Sequence, residues 1–124
     1  MLPSLAKRKR LMTSLDKLKC EACHSGSPKL SDDVLAEYME ALPEWQVINP
    51  NGVNRITRTF KFSNYKQAWE FSNKVSQLAE EEFHHPTLVL EWGKVTVTWW
   101  THDIKGIHLN DVICAKNTEK LFLS

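Results

Sequence analysis

Leu35, Tyr38, Met39 and Leu42 recur at the three-four spacing of one helix face, which predicts a first helix from Ser31 to about Leu42. Ser31 can cap it, Asp32 and Asp33 fall in the first turn where the helix dipole favours acids, and Leu30 and Leu35 are spaced as a hydrophobic staple. Pro43 stops it. Trp45 to Asn49 reads as a short strand and Asn49-Pro-Asn-Gly52 as a turn. From Val53 to Phe62 the period changes to two. Ile56, Phe60 and Phe62 alternate with Arg55, Thr57, Thr59 and Lys61, with Arg58 the exception, as in a strand covered on one face and open on the other. The two strands form a hairpin.

The pattern then repeats as helix and hairpin. Ser63 or Asn64 caps the longest helix, about residues 64 to 82, whose apolar face is Ala68, Phe71, Val75 and Leu78, widened by Trp69 and Ala79. Pro86 ends this segment, because the residue before a proline is pushed out of helical geometry. Thr87 to Trp92 and Val95 to Thr101 read as strands joined by a tight turn at Gly93-Lys94. In the second of them Val95, Val97 and Trp99 point one way, and Thr96, Thr98, Trp100 and His102 the other. A last helix spans about 109 to 121, with Asp111 three residues after His108, where its carboxylate can reach back to the N-cap amide. The order α-β-β-α-β-β-α predicts an α+β domain, a four-stranded antiparallel sheet covered on one face by helices.

Composition narrows the function classes. At 124 residues the chain is one domain by size, and 42% apolar residues argue for a folded core. Sixteen basic against fifteen acidic side chains create no field to attract nucleic acid. Trp99 and Trp100 form no stacking platform for it either, since neighbours in a strand face opposite ways. Residues 1–19 carry a basic run, Lys7 to Arg10, but no apolar stretch long enough for a signal peptide or a membrane span. We expect a flexible basic tail there, with the domain proper at 20–124, and a cytoplasmic protein. Three cysteines, two of them near the N-terminus, do not resemble a disulfide framework, which favours a reducing compartment. Cys20-Glu-Ala-Cys23-His24 spells the C-x-x-C-H of haem attachment, but that needs export. A zinc site there would have to borrow a ligand from elsewhere.

The chemistry concentrates in residues 80 to 103, which hold three of the five histidines and three of the five tryptophans. His84 and His85 leave the long helix, and His102 lies past the hairpin that folds it back toward them. Glu80, one turn before His84, can orient that imidazole. Three histidines can also bind zinc. An isolated histidine pair at a helix end is usually a cap or a solvated feature; a second histidine cluster at the right separation makes a site the better reading.

Glu80-x-x-x-His84-His85-Pro86, Trp92, His102 and Asp111, at these spacings and on this element order, resemble the pterin-4a-carbinolamine dehydratases over about residues 20 to 122. The resemblance implies loss of water from a 4a-hydroxytetrahydropterin to give quinonoid dihydropterin, in recycling the cofactor of aromatic amino acid hydroxylases, with no metal and no cofactor. It implies His84, His85, His102 and Glu80 as the catalytic set and Phe83, His84, His85, Trp100, Thr101, His102 and Asp103 as the pterin's contacts. Pro86, Trp92 and Asp111 are structural motif positions, Asp111 as a cap. Within the set, His84 and His102 are expected to exchange protons while His85 positions the substrate. Departures from the family pattern are Trp92, where tyrosine is frequent, and bulky Phe83 and Trp100, where many relatives have small or polar residues. The resemblance further implies a homodimer or homotetramer. Its alternative is a protein-binding module, a dimerisation cofactor or regulator, of which the long helix's exposed Lys66, Gln67, Glu70, Asn73, Lys74 and Gln77 give no positive sign.

Overall fold

The structure, a computed structural model, describes residues 29–124. The basic tail and the Cys20, Cys23, His24 cluster lie outside them. The described residues form α1 (Asp32–Met39), β1 (Gln46–Ile48), β2 (Arg55–Lys61), α2 (Tyr65–Glu82), β3 (Thr87–Glu91), β4 (Lys94–Trp99) and α3 (Leu109–Leu123), with a 3₁₀ turn at Pro50–Gly52. All strand pairs are antiparallel and the sheet order is β1-β2-β4-β3. The α+β architecture and the element order are those expected.

Central placement of β2 and β4 follows from what they bury. Ile56, Phe60, Val95, Val97 and Trp99 are all at most 1% exposed and face the helices. On the open face the same strands pair threonines, Thr57 with Thr98 at 2.9 Å and Thr59 with Thr96 at 3.0 Å. Arg58, the break in the alternation, does point to the helix side. Its guanidinium lies 4.4 Å from the Phe60 ring centre and its Nη1 donates to Glu119 Oε1 at 3.0 Å. Glu119 also accepts from Trp45 Nε1 and Lys116 Nζ. A long side chain can thus line an apolar core while its charge is answered at the rim.

Helix α2 is capped by Asn64, whose side chain accepts from Gln67 N at 2.8 Å. It buries Ala68, Phe71, Ser72, Val75 and Ala79. Trp69 does not widen that face: it is 49% exposed, because a helical step of about 100° from Ala68 carries it off the sheet. Helix α1 also ends earlier than expected. Ala41 N and Leu42 N donate to residues three back rather than four, so its last turn tightens before Pro43. The second hairpin turns at Trp92-Gly93, between the paired Glu91 and Lys94, one residue before the expected site. Gly93 is the turn residue at φ 73°, where a side chain would be strained. Strand β4 stops at Trp99, and Thr101 pairs separately with Gly106.

Cys114 is fully buried in α3, and the other two cysteines lie outside the described residues. Among the described residues no helix is long and apolar enough to cross a membrane.

Phe60 sits where the layers meet, with ring contacts to Trp45, Phe71 and Phe122 at 4.8 to 5.9 Å. Phe60→Ala is expected to destabilise the fold by about 3–5 kcal/mol in urea unfolding. A loss under about 1 kcal/mol would mean that this cluster does not organise the core.

Candidate active site

The exit of α2 aims the two adjacent histidines apart. Phe83 closes the helix in the left-handed region at φ 51°, with its N–H toward the Ala79 and Glu80 carbonyls, and His84 N donates back to Ala79 O at 3.1 Å. These are the bonds of a helix end that glycine usually occupies. After this reversal His84 turns inward and is 5% exposed, while His85 turns out, its side chain 60% exposed.

His84 meets Asp111. Its Nε2 lies 2.5 Å from Asp111 Oδ1, and because a carboxylate only accepts, the ring nitrogen is the donor. The imidazole is also parallel to Trp99, planes 4° apart and centres 5.6 Å apart. Asp111 has no exposed surface. Its Oδ2 accepts from Thr101 Oγ1 at 2.7 Å and from His108 N at 2.9 Å. The capping role expected of Asp111 is present, with His108 Nδ1 accepting from Asn110 N in return. The same carboxylate additionally fixes the end of β4 and the imidazole of His84. Sequence spacing could show only the cap, because the other two partners are 27 and 10 residues away.

Glu80 does not reach His84. Its Oε2 lies 2.5 Å from His85 Nε2 instead, in a solvent-exposed pair. The reason is the left-handed residue between helix and histidines: it breaks the i, i+4 geometry on which the expected Glu80–His84 contact depended.

Phe83, His84, His85, Trp100, Thr101, His102 and Asp103 line one open cavity of about 230 Å³, so the two expected clusters do come together. Thr101 is 4% exposed and belongs to the cavity floor with His84. Phe83, 77% exposed, stands at the rim. His102 is exposed and packs on Trp100, ring centres 3.7 Å apart. Trp100 also meets Arg55, whose guanidinium carbon lies 3.9 Å from its ring centre. Nothing in the sequence pattern singled out Arg55; strand register alone brings it there. Pro86 leads from His85 into β3, and Trp92, 72% exposed at the hairpin turn, is not among the lining residues. Among the described residues no three His, Cys, Asp or Glu side chains are placed to hold a metal ion.

A cleft with imidazoles on floor and walls, two of them paired to carboxylates, is equipped for proton transfer to and from a small ring compound. Residues 28–121 match the family model for pterin 4 alpha carbinolamine dehydratase. The "Putative pterin-4-alpha-carbinolamine dehydratase" of Photobacterium profundum is 53% identical over 109 residues, 88% of this chain and 97% of that protein. Among solved structures, the "transcriptional coactivator/pterin dehydratase" of Brucella melitensis superposes with a TM-score of 0.70 at 30% identity, covering 76% of this chain and 98% of its own. The chain belongs to the pterin-4a-carbinolamine dehydratase family. It is accordingly a hydro-lyase acting on that pterin.

The strained cap at Phe83 yields a test. Phe83→Gly is expected to raise the melting temperature by about 2–5 °C, since it relieves left-handed strain at an exposed position. Phe83→Ala keeps the Cβ and should not. Equal melting temperatures for the two variants would show that no strain is held there.

Proposed function

We propose that the cavity dehydrates a 4a-hydroxytetrahydropterin by general acid–base catalysis, with His85 and His102 as the proton-exchanging groups. The observation carrying this reading is the convergence of His84, His85 and His102 on one cavity. The hydroxyl leaves C4a as the adjacent ring nitrogen's lone pair forms the new double bond. One group protonates the departing oxygen, completing water, and another removes the proton from that nitrogen. Imidazole serves both roles because its unperturbed pKa is about 6.5.

The division of labour differs from the one expected from sequence. His85 is exposed to the cavity mouth and backed by Glu80, so it can deliver or accept a proton and be recharged from solvent. His102 is exposed on the opposite cluster. His84, one nitrogen committed to a buried carboxylate, acts as the cavity floor that orients the pterin, together with Thr101. Phe83, Trp100 and Asp103 complete the contacts. The supply of substrate by an aromatic amino acid hydroxylase rests on the family resemblance alone. The role of residues 1–19 as a dispensable tail rests on their sequence alone.

With 4a-hydroxytetrahydropterin generated enzymatically and followed by stopped flow, His85→Ala and His102→Ala should each lower kcat by up to about 10²-fold, and the double variant should nearly abolish the rate enhancement. His84→Ala should chiefly lower stability, by about 3 kcal/mol, because it leaves the Asp111 charge buried without its partner. Near wild-type turnover in the double variant would rule the mechanism out.

The chain is further proposed to self-associate through a sheet edge. Among the described residues β1 and β3 are the edge strands, each paired on one side, and Val47, Ile48 and Val89 are 39 to 46% exposed on them. Light scattering at micromolar concentration should give a dimer or tetramer mass; a strict monomer contradicts it.

A further inference from the structure

His84 and His85 are each held by a carboxylate, whereas His102 is not. Among the described residues no side-chain hydrogen bond or ion pair reaches the His102 ring, and its ring contact is Trp100, planes 37° apart. An exposed imidazole just past a strand end has several rotamers open to it. Proton transfer needs one of them. What selects that rotamer must therefore be the surface on which the ring rests.

That surface is itself pinned from the neighbouring strand. Ile56 pairs with Trp99 across β2 and β4, so Arg55 and Trp100 lie one step further along the same antiparallel pair. Because Ile56 and Trp99 point into the core, Arg55 and Trp100 point to the open face. His102, two residues beyond Trp100, is on the same side. The three side chains make a column of guanidinium, indole and imidazole, with contacts of 3.9 and 3.7 Å. Among the described residues no carboxylate pairs with Arg55 to draw it away, and its Nε is buried without a partner, as is the indole Nε1 of Trp100. A cation so placed is held by the indole's electron-rich face.

We propose that Arg55 is a positioning residue for the dehydration: by clamping Trp100 it holds the His102 imidazole in its reactive orientation. This rests on the reading of His102 as a proton-exchanging group. Arg55 itself does not line the cavity, so it acts through the indole and not on the pterin.

A double-mutant cycle on the full chain tests the coupling. Arg55→Ala should lower kcat for enzymatically generated 4a-hydroxytetrahydropterin by about two- to fivefold, the scale of a partly exposed cation–π contact, with KM changing less. In the His102→Ala background the same substitution should change kcat by less than about 1.5-fold. Arg55→Lys, which keeps the charge, should recover part of the loss. In NMR the His102 ring protons, shielded by the indole in the wild type, should move toward their positions in Trp100→Ala when Arg55 is removed. An equal loss in both backgrounds, no loss at all, or unmoved His102 resonances would each overturn the proposal. Wild-type protein inactive toward this substrate would overturn the functional reading first, and the inference with it.

Discussion

A carboxylate without solvent must be answered by donors, and Asp111 receives three, from an imidazole, a hydroxyl and a backbone amide in three parts of the chain. His84 comes from the exit of α2, Thr101 from just past β4, and the His108 amide from the start of α3. One side chain thereby fixes where a helix ends, where a strand ends and where the next helix begins. The cavity lies between the first two. If any donor were missing, a buried charge would be left short of partners, at a cost of about 1–3 kcal/mol for the hydrogen bond alone. The site's floor and the fold's stability are therefore the same set of bonds.

Around that floor the cavity's remaining groups are held more loosely. Glu80 and His85 form an exposed pair, the kind whose contribution to stability is small. His102 rests on the Trp100 indole. The arrangement separates tasks: groups that define shape are buried and satisfied, and groups that can exchange protons with solvent stay accessible. Phe83 belongs to the second set by exposure, yet it occupies a backbone position that favours glycine. Strain kept at the mouth of a cavity is a recurrent companion of function.

The sheet supplies the rigidity. β2 and β4 bury their inward residues almost completely, and their threonine pairs bind the two strands from the open side as well. Since Arg55 and Trp100 extend that same pairing by one step, the register that builds the core also sets the wall of the site.

Element type and order were legible in the chain because they rest on local periodicity: a three-four spacing in α2, alternation in β2 and β4, caps at Ser31 and Asn64, and the Asp111 to His108 cap. The histidines were legible through the motif and its spacing, and the other four lining residues, Phe83, Trp100, Thr101 and Asp103, through the family resemblance. Their pairing was not. The left-handed turn at Phe83 gives Glu80 to His85 instead of His84 and turns His84 inward to Asp111, and one dihedral angle of this kind leaves no mark on a hydrophobic pattern. Arg55 was invisible for a related reason. Its place beside Trp100 depends on β2 lying next to β4, a contact between strands far apart in the chain that alternation predicts for no particular register. Local chemistry decides which elements form and which residues are exposed on them; which side chains then meet is decided by how those elements pack, because only packing brings distant donors to a buried charge.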